Sequence, residues 1–254
     1  MTTAPAYDAA GAPASPPEPA IDVRQVSKNF GRLKALDDVS LQVNAGQCLV
    51  LFGPNGAGKT TLISILSTLA LPTSGTAFIC GFDVRNQSRD VRRAIGVISH
   101  ESFVYDSMTA VENLRFFARM YGAPGDRPGL EQSLGRVGLL HRADSPAGTM
   151  SRGMKQRLSL ARCLLHEPRV VLLDEPYSGL DLDGAELLTC QIRDLCAGGR
   201  AVLVTTHQLS AGLSVADELA ILARGKLRFR AGARGISEAE FQHEYAKAVA
   251  EPAP

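Results

Sequence analysis

An α/β architecture, with a mainly parallel sheet, an antiparallel β subdomain and an α-helical subdomain, follows from three features of this chain. Apolar runs at Cys48 to Phe52, Val170 to Leu173 and Ala201 to Thr205 lack polar alternation, the pattern of strands buried on both faces. Helical patterns follow such runs, as crossovers between parallel strands require. Between the first two runs, from about Thr109 to Leu165, strand signals give way to helical spacing.

Residues 1–20, rich in Ala and Pro with Gly and Ser, cannot bury enough apolar surface to offset the entropy of ordering, and are expected to form a disordered tail. The domain is expected over 21–235. Ile21 and Val23, then Val39, Leu41 and Val43, alternate with polar residues on either side of Phe30-Gly31-Arg32, as half-buried antiparallel strands do. Further strands are expected at Thr76 to Cys80, after the turn Pro72-Thr73-Ser74-Gly75, and at Ile95 to Ser99. The helical subdomain, about 101–165, carries a capping box at Thr109 and Glu112 and the stripe Val111, Leu114, Phe117, Ala118 and Tyr121. Gly122 to Gly129 reads as a loop, and Leu130, Leu134 and Val137 mark a second helix. A third starts near Ser151, carries Met154, Leu158, Ala161 and Leu165, and stops before Pro168. Residues 236–254 are expected to be a C-terminal helix or tail.

At 254 residues and 45% apolar content the chain can bury a substantial core. With 27 basic and 26 acidic side chains, the net charge of +1 calls for neither nucleic acid nor an anionic membrane surface. Five cysteines without a C-x-x-C pair fit small buried hydrophobes rather than a disulfide framework or a zinc site. No apolar stretch is long enough to span a bilayer, so a cytoplasmic location is expected unless another component holds the chain at a membrane.

The chemistry starts at Gly53-Pro54-Asn55-Gly56-Ala57-Gly58-Lys59-Thr60-Thr61, a full match to G-x-x-x-x-G-K-[ST] between an apolar run and a helical pattern. Glycines let consecutive N–H groups turn inward around phosphates, and the helix N-terminus adds its positive dipole end. The motif predicts a nucleoside triphosphate, with Lys59 reaching the β- and γ-phosphates and Thr60 ligating Mg²⁺. Val170-Val171-Leu172-Leu173-Asp174-Glu175 is an apolar strand ending in two acids. Such a strand delivers Asp174 beside the phosphate loop to hold Mg²⁺, and Glu175 to polarise the attacking water. Taken alone, an acid pair at a strand end is equally a solvated turn.

Together these elements resemble the ATP-binding cassette (ABC) family over roughly Ile21 to Arg230. Gly53 to Thr60 is similar to its Walker A loop, and Val170 to Glu175 to Walker B with the catalytic glutamate. Ser178-Gly179-Leu180-Asp181 resembles the D-loop, and His207 the switch histidine. Phe30 stands where an aromatic ring of the family stacks on adenine, with an apolar hairpin contact as the alternative. The signature Leu-Ser-Gly-Gly-Gln resembles Met150-Ser151-Arg152-Gly153-Met154, which keeps Ser151 and Gly153. It places a serine hydroxyl and free N–H groups at a helix start that has no phosphate loop of its own. The resemblance implies a P-loop NTPase core forming an ABC nucleotide-binding domain. It further implies ATP and Mg²⁺ held between two cassettes, a homodimer or pseudo-dimer, with Ser151, Arg152, Gly153 and Met154 acting in trans. His100 falls where the family has a glutamine near the metal; His100 or Glu101 is the candidate substitute, although a protonated imidazole would repel the metal.

The resemblance also implies function. Chromosome-type members need a long insertion between the Walker motifs, and translation-type members carry two cassettes. This chain has neither, which favours a transporter ATPase on the cytoplasmic face of the cell membrane, bound peripherally to separate transmembrane permease subunits. The segment His100 to Thr109 is the expected contact, with Phe103, Tyr105 and Met108 as exposed anchors or, equally, core residues. Ser99 to Asp106, Glu112 to Arg119 and the signature are most similar to the ATP-binding subunit of haem exporters in cytochrome c maturation. An exporter of drugs, lipids or polysaccharides is the other expectation.

Overall fold

Side-chain alternation sorts the strands between two sheets. The computed structural model describes residues 18–99 and 103–250. Strands β1 (Ile21–Phe30) and β2 (Leu33–Val43) form a hairpin across Gly31-Arg32, with Gly31 at φ +58° as the turn requires. Next come β3 (Cys48–Phe52), α1 (Lys59–Leu66), β4 (Ser74–Ile79), β5 (Phe82–Asp83), α2 (Ser88–Ala94) and β6 (Ile95–Ile98). The helical subdomain contributes α3 (Ala110–Tyr121), α4 (Arg127–Arg136) and α5 (Arg152–Leu164). The chain continues through β7 (Val170–Asp174), α6 (Leu182–Ala197), β8 (Ala201–Thr206), α7 (Leu209–Leu213), β9 (Glu218–Ala223), β10 (Lys226–Gly232) and α8 (Glu238–Ala250).

The antiparallel sheet runs β2-β1-β4-β5 and the larger one β10-β9-β3-β8-β7-β6. In the larger sheet only β10 is antiparallel to its neighbour. Its central strands have no polar face because both faces are covered. Leu49 and Leu51 pack with α1 and the antiparallel sheet, whereas Val50 and Phe52 pack with helices on the other side. Phe52 sits against Phe241 of α8, ring centroids 4.7 Å apart, so the C-terminal helix closes the core under the phosphate loop's strand.

Several boundaries move for identifiable reasons. Residue 20 does not belong to a tail: Ala20 is buried and its carbonyl accepts from Cys80 N at 2.8 Å, while residues 1–17 and 251–254 lie outside the described residues. Residues 127–129 are helical rather than loop, because Asp126 caps α4 by accepting from Gly129 N at 3.2 Å and Pro128 fits the first turn. The capping box at Thr109 and Glu112 closes in both directions. Cysteines 48 and 163 are buried as expected, and burial pushes the Cys163 thiol up to about 12, but Cys190 on α6 is exposed.

Candidate functional site

The phosphate loop is fixed by close backbone approach. A Cβ on Gly53 would stand 2.2 Å from the Leu222 carbonyl oxygen, and one on Gly58, at φ +109°, would stand 2.5 Å from that of Ala35. With the loop so pressed against β9 and β2, the N–H groups of Gly56, Gly58, Lys59, Thr60 and Thr61 keep no partner among the described residues. They form a row of donors at the start of α1, the arrangement that fits a polyphosphate. The Lys59 ammonium, only 6% exposed, bonds the carbonyls of Gly53 at 2.5 Å and Pro54 at 3.3 Å.

Strand β7 delivers the acids. Thr60 Oγ1 donates to Asp174 Oδ2 at 2.8 Å, and Thr205 Oγ1 on the neighbouring β8 donates to Asp174 Oδ1 at 2.5 Å. Asp174 is 3% exposed, and its pairing with the Thr60 hydroxyl makes a hard-oxygen donor set that fits Mg²⁺. The next residue, Glu175, has φ +51°, a left-handed conformation that costs a non-glycine residue of order 1–3 kcal/mol. Its N–H is held by the Thr205 carbonyl at 3.0 Å, and the turned backbone aims the carboxylate back at the loop. Glu175 Oε1 lies 3.1 Å from Lys59 Nζ, in ion-pair range but not aligned as a hydrogen bond, and Oε2 lies 3.0 Å from His207 Nδ1.

These groups open into a cleft of about 530 Å³ whose walls run from Phe30 through Leu33 and Ala35 to the phosphate loop and Glu175. Phe30 is 53% exposed at its mouth with Lys28 Nζ 4.9 Å above the ring, so the ring is not consumed by hairpin packing. The structure thus brings together Phe30, residues 53–61, Asp174, Glu175 and His207. His100 and Glu101 lie outside the described residues.

A second cleft, about 480 Å³, forms where the signature segment meets the D-loop. Ser151 caps α5 by accepting from Met154 N at 3.3 Å, and Asp181 caps α6 by accepting from Gly184 N at 2.9 Å. The Arg152 guanidinium lies over Gly179, and Gly153 faces Leu180; Ser178 precedes that contact in the same loop. The cleft holds helix-start donors but no lysine–carboxylate pair of its own.

The sequence reading missed Thr205 and the β9–β10 turn. Thr205 and Thr206 are polar residues with no exposure at the end of an apolar strand, and that placement was the available signal. It also missed Asn113, buried on α3, whose amide bonds the backbone of Tyr105, Met108 and Thr109 and so holds the loop before the helix.

Comparison with known proteins agrees with this geometry. The family model described as "ABC transporter" matches residues 36–178, more than half of the chain. A Nod factor export ATP-binding protein I from Burkholderia orbicola is 36% identical over 222 residues, covering 87% of this chain and 73% of that protein. The ABC transporter ATP-binding protein NatA of Bacillus subtilis is 32% identical over 211 residues, covering 82% and 86%. Among solved structures, an ATP-binding subunit of an ABC transporter superposes with TM-score 0.79 at 27% identity, covering 90% of this chain and 99% of that one. A nucleotide-free ATP-binding cassette superposes at 0.78 with 24% identity, a likeness of fold. The chain belongs to the ABC transporter family as an ATP-binding subunit, and it is an ATPase.

Proposed function

We propose that this chain is the ATP-hydrolysing subunit of an exporter, seated peripherally on separate transmembrane subunits at the cytoplasmic face of the membrane. The observation that carries the reading is the meeting of Lys59, Asp174, Glu175 and His207 around one row of phosphate-loop donors. ATP phosphates take Lys59 away from the Gly53 and Pro54 carbonyls and from Glu175, which frees the Glu175 carboxylate to accept a proton from the attacking water. His207 holds that carboxylate in place from the far side, and the Thr205 hydroxyl fixes the Asp174 rotamer. Thr60 and Asp174 would hold Mg²⁺, which would supply charge neutralisation for the phosphates. Phe30 stacks on the base.

Two cassettes pair head to tail, and Ser151, Arg152, Gly153 and Met154 of one meet the nucleotide bound to the other. The open signature cleft, with donors and no lysine–carboxylate pair, supports this pairing. Phe103 and Tyr105 are 54% and 46% exposed, and the Tyr105 backbone is tied by Asn113, which favours permease anchors over core residues; Met108 is half-buried. No helix among the described residues is long and apolar enough to cross a membrane, which accords with separate membrane subunits.

For the cargo, the names of the relatives support export. The haem reading rests on local runs around Ser99 to Arg119 and on the signature, whereas relatives matched over 222 residues are named for Nod factor. That favours the broader class of drug, lipid or polysaccharide exporters over haem. The decisive experiment isolates the tagged chain from detergent-solubilised membranes. Recovery with integral membrane subunits whose reconstituted vesicles hydrolyse ATP is expected; recovery with ribosomes or DNA, without membrane protein, overturns the reading.

A further inference from the structure

The hairpin between β9 and β10 carries an arginine that the functional reading leaves without a task. Ala223 pairs with Lys226, so Arg224 and Gly225 are the two turn residues, at φ +52° and +78°. Two positive φ values mark the turn type that favours Asn, Asp or Gly at its first position, and an arginine there is strained. The turn is pinned on both sides: Gly225 N donates to Ala57 O at 2.9 Å in the phosphate loop, and Asp37 N donates to Gly225 O at 2.8 Å. It therefore stands where the wall formed by Phe30, Leu33 and Ala35 meets the phosphate loop, and Arg224 lines the cleft there.

Its guanidinium is exposed and has no hydrogen bond or ion pair among the described residues. The nearby acid of the turn, Asp37, is taken by Lys34 at 2.5 Å and Lys226 at 3.2 Å. The one carboxylate lining the cleft, Glu175, is held by Lys59 and His207. A strained arginine with no anion of its own, fixed beside the row of phosphate-loop donors, matches what a planar fork does best.

We propose that Arg224 is a further nucleotide contact, its guanidinium engaging the ribose and α-phosphate of ATP or ADP between Phe30 and the phosphate loop. This rests on the cleft being the nucleotide site, and on nothing about pairing or cargo.

Calorimetric titration of ATP and ADP with Mg²⁺ into wild type, Arg224→Asn, Arg224→Lys and Lys59→Ala tests it, alongside melting of the nucleotide-free proteins. Loss of one charge-assisted contact weakens Arg224→Asn by about three- to tenfold for both nucleotides, with a flatter salt dependence. Arg224→Lys recovers part of that loss. The Arg224→Asn protein melts no lower than wild type, because asparagine tolerates the left-handed turn. Unchanged affinity overturns the proposal, as does a loss confined to ATP or one accompanied by a lower melting temperature. If Lys59→Ala binds as well as wild type, the cleft reading itself fails, a result distinct from any of these.

Discussion

The phosphate cleft and the signature cleft are built from the same device, a helix start with unpaired N–H groups, yet they are finished to different degrees. In the first, Lys59 and Asp174 are almost wholly buried, and Lys59, Asp174 and Glu175 are each held by partners from another strand or loop. In the second, Ser151 and Arg152 are exposed, and the guanidinium rests on the backbone of Gly179. Burial strengthens electrostatic interactions and holds reacting groups in place, so the chemistry belongs to the first cleft. The second has helix-start donors and no lysine–carboxylate pair, which is what the proposed pairing with the nucleotide of another cassette would use. The difference teaches that a helix N-terminus becomes catalytic when neighbouring strands bring acids and a base to it.

The largest expected effect breaks the comparison at its chemical end. Glu175→Gln keeps the shape of the side chain and removes the proton acceptor, so turnover of the assembled transporter falls by about 10² to 10⁴ while ATP binding is retained. Steady-state hydrolysis together with nucleotide titration checks this; near-normal hydrolysis would mean that Glu175 is only an ion-pair partner of Lys59.

A smaller effect sharpens the other half. In the Glu175→Gln background, ATP should drive dimerisation, and adding Ser151→Arg should weaken that dimer by about tenfold, equivalent to about 1.4 kcal/mol. Sedimentation with and without ATP reads the change, and the membrane subunits belong in the cell if the isolated chain stays monomeric. A dimer indifferent to Ser151→Arg would reduce the second cleft to an ordinary helix cap.

The smallest effect tests a region outside both clefts, as a control on what burial does to a titrating group. Burial pushes the His166 imidazole below its ordinary value, while its Nε2 bonds the Ile95 carbonyl at 2.8 Å. The unfolded chain therefore binds this proton more readily, so the contribution to stability is intact above about pH 6.5 and is lost as pH falls below it. Denaturant melts at pH 7.5 and 5.5 should show a smaller loss for His166→Gln than for wild type; equal losses would place the acid sensitivity elsewhere.

Much of the first cleft was legible because it is local. Residues 53–61 form one contiguous turn, whose glycines answer to backbone geometry and whose lysine and threonine follow immediately, so nine letters carry most of the phosphate site. The caps at Thr109, Ser151 and Asp181 were similarly within reach, since a side chain three residues from its N–H partner needs no distant neighbour. The apolar runs at β3, β7 and β8 announced strands covered on both faces. Glu175's place beside Lys59 was readable from its position after Asp174, but its left-handed backbone was not, because β8 holds it through Thr205. Thr205 reaches Asp174, and Arg224 reaches the phosphate loop's cleft, across sequence separations that no periodicity records. The contact of Arg152 with Gly179 likewise exists only once α5 and the D-loop are packed side by side. Composition and short-range pattern determine which segments fold as strands, helices and loops, because those preferences are set by backbone sterics and local hydrogen bonds. Which polar groups converge is decided by sheet order, since long-range pairing alone sets distant side chains at hydrogen-bonding range.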